Sequence, residues 1–81
     1  MRLIIEADDF GLSESITNGI IDGINGGYIT STNIMANMPF AKYAVEKAIE
    51  NNIKSVGLHF NLTVGKPLTK NPLLTDENGV F

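Results

Sequence analysis

The order in which apolar periodicity changes along the chain constrains its fold more than any other feature. Leu3-Ile4-Ile5 is a short apolar run. A stretch with helical spacing follows, then a β-branched run from Tyr28 to Met35, a second helical stretch, and a strictly alternating run from Val56 to Thr63. Parallel strands need a crossover long enough to hold a helix, so this alternation points to consecutive βαβ units. The expected fold is α/β, ordered βαβαβ with parallel strands, followed by a loop or hairpin tail.

The local signals agree. Leu3-Ile4-Ile5 suits a buried parallel strand that ends in Asp8-Asp9-Phe10-Gly11. Ser13 is placed to cap the first helix, with Glu14 in its first turn. Ile16, Ile20 and Ile24 fall four apart. Gly19 and Gly23 share their face, cost the helix roughly 1 kcal/mol each, and allow close approach to a sheet. Asn25-Gly26-Gly27 ends the helix. Asn37-Met38-Pro39 breaks the second strand. Ala41, Ala44, Val45, Ala48 and Ile49 then follow amphipathic spacing until Asn51-Asn52. In the last strand Val56, Leu58, Phe60 and Leu62 should face the helices, which turns His59 to the opposite face or to the rim. Asn78-Gly79 followed by Val80-Phe81 looks like a hairpin leaving its turn.

With three strands in sequential order, right-handed crossovers put both helices on one face. Parallel sheets are normally covered on both faces. The expectation is that residues 1–81 form a single, incomplete catalytic domain, the N-terminal portion of a (β/α) barrel, or that the chain self-associates as a homo-oligomer to hide the bare face.

Composition excludes several classes. The 81 residues are 43% hydrophobic and 19% charged, unlike a disordered tail. Without cysteine there is no disulfide and no thiolate zinc site. No apolar run is long enough to span a membrane, and the N-terminus lacks the features of a secretory leader, which favours the cytoplasm. The net charge of −3 offers no basic face to nucleic acid. The five acids and one base before Gly26 suit a cation better than a phosphate. Gly26-Gly27 lacks the lysine of a phosphate loop, and the Asn61-Leu62-Thr63 sequon reads as chance.

Asp8 and Asp9 stand at the carboxyl end of the first strand, the edge where sites of parallel α/β folds gather. One of the pair can bind a metal while the other acts as a base; a helix cap or a solvated turn fits equally. His59, the only histidine, reaches the same edge from the third strand. It suits a metal ligand beside a carboxylate, or a core imidazole bonded to backbone. Asn33 and Asn37 could face substrate or bond to backbone. Glu6 is expected on the open face of the sheet, where burial would demand a partner.

Three segments carry a resemblance: Ala7-Asp8-Asp9-Phe10-Gly11-Leu12-Ser13, Thr30 to Pro39, and Gly57-Leu58-His59-Phe60-Asn61-Leu62-Thr63-Val64-Gly65-Lys66-Pro67. Together with Leu73-Leu74 and Gly79-Val80-Phe81, they resemble the YdjC/ChbG-type carbohydrate deacetylases, which are similar to polysaccharide deacetylases. The resemblance implies a (β/α) barrel and a metal-dependent hydrolase that removes acetyl groups from N-acetylated amino sugars such as chitooligosaccharides. It implies Asp9 and His59 as metal ligands, Asp8 as general base, and a further histidine ligand beyond Phe81. Magnesium is the favoured cofactor; the donor chemistry equally admits zinc. Such a cation lowers the pKa of water and polarises the acetyl carbonyl, and Asp8 takes the proton. Substrate-binding residues are unassigned.

Two alternatives differ in class. One is a non-catalytic truncated fragment that only folds or associates. The other is a receiver-like magnesium-binding signalling domain, which would need an aspartate where His59 stands.

Overall fold

A computed structural model describes residues 2–81; Met1, the start of the apolar N-terminal segment, lies outside them. The elements run β1 (Glu6–Phe10), α1 (Glu14–Asn25), β2 (Ser31–Ile34), α2 (Ala41–Glu50) and β3 (Val56–Leu58). The strands form one parallel sheet in the order β1-β2-β3, so the βαβαβ expectation holds.

The helices span their apolar patterns, whereas β1 lies beyond its apolar run and β2 and β3 are shorter than theirs; hydrogen bonds explain where each strand starts or stops. The first strand begins at Glu6, not Leu3. Ile5 O still accepts the Thr30 amide at 2.9 Å, but Ile5 N donates to Thr30 Oγ1 at 2.8 Å instead of to a strand carbonyl, so the regular ladder starts one residue later. Leu3 and Ile4 are exposed rather than buried. Glu6 is exposed too and has no need of a buried partner. The second strand begins at Ser31, because the amides of Tyr28 and Ile29 turn back to Gly23 O and close the end of α1. The third strand ends at Leu58, although His59 N still donates to Ile34 O at 2.8 Å. Beyond it, Asn61 Oδ1 accepts from the amides of Thr63 and Val64 and folds the chain away from the sheet.

Helix α1 starts as expected, with Ser13 Oγ accepting from Ile16 N. Its buried stripe is Thr17, Ile20 and Ile21, with Ile16 left on the flank. A Cβ on Gly23 would collide with the side chain of Ile29, so that glycine admits the following turn rather than the sheet; Gly19 faces open space. Helix α2 buries Ala44 and Ala48, while Val45 and Ile49 stay exposed. The two helices are tied by Tyr43 Oη donating to Asn18 Oδ1 and by Asn25 Nδ2 donating to Asn51 Oδ1.

The core is Phe10, Ile20, Ile21, Ala44 and Ala48, with Ala7, Ile24, Ile34 and Ile53 packed against it. Both helices contribute, so both lie on one face of the sheet. Val56 and Leu58 pair with Thr32 and Ile34 and share that face by register. No helix among the described residues covers them, and Leu58 is 70% exposed. The Asn78-Gly79 turn forms, with Asp76 N donating to Val80 O at 2.8 Å, but residues 59–81 contain no strand.

Phe10 is the one fully buried aromatic side chain among the described residues. Phe10→Ala should lower the unfolding free energy by about 3–5 kcal/mol in a urea titration followed by circular dichroism. That is a large share of the roughly 4–12 kcal/mol a chain of this size commands.

Candidate functional site

The site begins with an irregularity in β1. Ala7 pairs with Thr32 and Phe10 with Ile34, so three steps along β1 match two along β2. A regular strand would put Ala7 and Phe10 on opposite faces. The extra residue of this bulge lets both pack into the core. It places the consecutive carboxylates Asp8 and Asp9 where the sheet ends, and Asp9 takes a left-handed φ of 71°. Aspartate tolerates that conformation better than most residues.

Two buried threonines hold the bulge. At its start, Thr32 Oγ1 donates to Ala7 O at 2.7 Å; just past its end, Gly11 N donates to Thr17 Oγ1 at 3.1 Å. Both threonines are fully buried. Gly11 itself has φ 94°, and a Cβ there would lie 3.0 Å from Ala41 Cα. Glycine is required at that position on both counts.

Asp8 and Asp9 have different surroundings. Asp8 Oδ1 accepts from Asn33 Nδ2 at 2.8 Å. Asp9 Oδ1 lies 3.6 Å from His59 Nδ1. Neither carboxylate caps α1, since Ser13 fills that role, so the cap alternative falls. His59 is not a satisfied core histidine either. Its Nδ1 is buried and has no hydrogen-bond partner. The expected convergence of Asp8, Asp9 and His59 on one edge of the sheet is what the structure shows.

The two donors of Asp9 and His59 fit a shared cation. They are too far apart to hydrogen bond, and the ring nitrogen is buried with nothing else to bind. Among the described residues no third histidine, cysteine or acid joins them as a cluster that could hold an ion.

From the sequence, Asn37 has two open roles, facing substrate or bonding to backbone, and Asn61 belongs to a chance sequon. Asn37 Nδ2 donates to the carbonyls of Val64 and Lys66, both at 2.9 Å. Asn61 Nδ2 donates to Asn37 Oδ1 at 2.9 Å. This clasp ties the loop after β2 to the loop after His59, so Asn37 takes the backbone alternative and the sequon asparagine is structural. The signal available in sequence was two asparagines, each in a loop just past a strand end. Beside His59 a cavity of about 250 Å³ opens between Leu58, Phe60, Asn71 and Phe81.

The fold and site thus define a parallel α/β chain with carboxylates and an imidazole at the carboxyl edge of its sheet. The profile of the YdjC family, described as YdjC-like protein, matches residues 2–81. A carbohydrate deacetylase of Clostridium beijerinckii is 50% identical over 82 residues, covering 100% of this chain and 34% of that protein. A chitooligosaccharide deacetylase of Yersinia pestis is 46% identical over 77 residues, covering 95% of this chain and 30% of its own length. A solved structure from Enterococcus faecalis, provisionally assigned to cellobiose-phosphate cleavage, superposes with a TM-score of 0.87 at 37% identity, over 96% of this chain and 32% of that one. This chain belongs to the YdjC family. It spans about a third of the length of the relatives it matches. No helix among the described residues is long and apolar enough to cross a membrane.

Asp9→Val should cost about 1–2 kcal/mol of stability, because a β-branched residue resists the left-handed backbone. Asp9→Asn should stay within about 0.5 kcal/mol of the parent, since asparagine accepts the same φ. Paired urea titrations of the two variants check both values.

Proposed function

We propose that residues 1–81 are the first part of a catalytic domain that removes acetyl groups from N-acetylated amino sugars with the help of a divalent cation. The observation that carries this reading is the unpartnered, buried Nδ1 of His59 facing the Asp9 carboxylate, with Asp8 beside it. The names of the relatives support the substrate class. The apolar side chains left bare on β3 support a larger domain, because parallel sheets are normally covered on both faces. A domain that continues past Phe81 has room for a third donor and for the acid that protonates the leaving amine.

Asp9 and His59 would hold the cation. Magnesium or zinc is compatible with one carboxylate and one imidazole. When bound, the cation would make water more acidic and polarise the acetyl carbonyl. Asp8 would accept the proton that the attacking water loses, through the carboxylate oxygen that Asn33 does not engage. Asp9 is held on the bulge and His59 on the end of the β2–β3 ladder, so neither has to be ordered when the cation arrives. The cavity beside His59 would receive the sugar, with the aromatic faces of Phe60 and Phe81 against its apolar side and Asn71 on its hydroxyls.

The test is acetate release from diacetylchitobiose by a polypeptide carrying the whole catalytic domain. Release should stop with chelator and return with magnesium or zinc. Asp8→Asn should lower kcat by about 10²–10⁴-fold, the usual worth of a general base, without loss of cation binding. His59→Ala and Asp9→Asn should instead raise the cation concentration needed for half-maximal rate. Full activity in chelator, or in Asp8→Asn, would refute the mechanism.

A further inference from the structure

Asn33 sits in the middle strand, on the face opposite Thr32 and the core. Its Nδ2 donates to Asp8 Oδ1 at 2.8 Å. Its Oδ1 is buried and has no partner among the described residues. A buried acceptor without a donor costs about 1–3 kcal/mol, and a strand centre favours β-branched residues over asparagine. On stability alone this side chain is a poor choice for its place. What it does supply is the amide donor that engages Asp8. That bond immobilises one oxygen of an exposed carboxylate on an irregular strand and leaves the other oxygen free.

We propose that Asn33 is a positioning residue for the reaction: it aims Asp8, so that the free oxygen of the carboxylate meets the attacking water. The inference rests on Asp8 being the base. Asn33 touches neither substrate nor cation. It acts by restricting the rotation of the Asp8 side chain, and a base that is off target by a fraction of an ångström to one ångström loses up to about 10²-fold in rate.

The experiment is a double-mutant cycle in the polypeptide that carries the whole catalytic domain, with diacetylchitobiose as substrate. Two single variants are used. Asn33→Asp keeps the shape and sets a second carboxyl group against Asp8 in place of the amide donor. Asn33→Val removes both the donor and the orphaned acceptor. Each should lower kcat by about 10–100-fold while KM changes by less than about twofold. Asn33→Val should unfold in urea at the same midpoint as the parent or a higher one. Added to Asp8→Asn, Asn33→Val should change the residual kcat by less than about twofold, because there is no base left to aim. A separate readout uses residues 1–81 alone: the side-chain amide signals of Asn33 in a ¹⁵N spectrum should shift in Asp8→Asn.

Unchanged kcat in both Asn33 variants, with Asp8→Asn inactive, would overturn the role of Asn33 and leave the base in place. Losses that add to those of Asp8→Asn, or that follow a lowered unfolding midpoint, would also overturn it and make Asn33 merely structural. Full activity in Asp8→Asn would remove the base itself, and the positioning role with it.

Discussion

The bulge in β1 is the constraint on which the rest of the site depends. One extra residue between Ala7 and Phe10 puts both in the core and leaves Asp8 and Asp9 at the sheet edge. Thr32 and Thr17 hold its two ends from inside the protein, and Gly11 lets the chain pass within contact of α2. The bulge therefore couples packing to chemistry. Phe10 draws the strand into the core, and the same irregularity gives two adjacent carboxylates different neighbours. A regular strand would send them to opposite faces.

The division of labour proposed for the two carboxylates rests on that difference. Asp9 faces an imidazole nitrogen that has no other partner, while Asp8 faces an amide donor. One environment suits a shared cation and the other an oriented base. The asparagine clasp between Asn37 and Asn61 adds the third support, since it fastens the loop that leaves His59. The site is thus assembled from three strand ends and held by hydrogen bonds from uncharged donors. Among the described residues, the one side-chain ion pair between oppositely charged groups, Lys47 with Glu50, lies on the exposed face of α2. It raises the pKa of Lys47, chiefly through the hydrogen bond to Glu50, and takes no part in the site.

Much of this was legible in the sequence. The alternation of apolar periods gave the element order, because periodicity is a property of which faces are buried. Ser13 announced the start of α1, and Asp8, Asp9 and His59 were recognisable as one edge from strand ends alone. Strand boundaries were not legible, because side chains decided them. Thr30 Oγ1 takes the Ile5 amide, and Asn61 captures the amides that would have continued β3; only at β2 does the backbone decide, where Tyr28 and Ile29 turn back to Gly23 O. The bulge was hidden as well. Ala7 and Phe10 stand an odd number of residues apart, and the Asp8-Asp9 pair between them reads equally as a solvated turn past the end of the strand. The roles of Asn33, Asn37 and Asn61 required contacts between residues about 25 positions apart, which no local pattern carries.

The central claim is that Asp9 and His59 share a divalent cation. Manganese titrated into residues 1–81, followed by nuclear magnetic resonance, tests it directly because the paramagnetic ion broadens only signals near it. The account predicts saturable broadening that starts at His59, Asp8 and Asp9 and disappears in Asp9→Asn. Broadening that begins at Asp76, Glu77 or the acids of the helices, or that persists in Asp9→Asn, would contradict it.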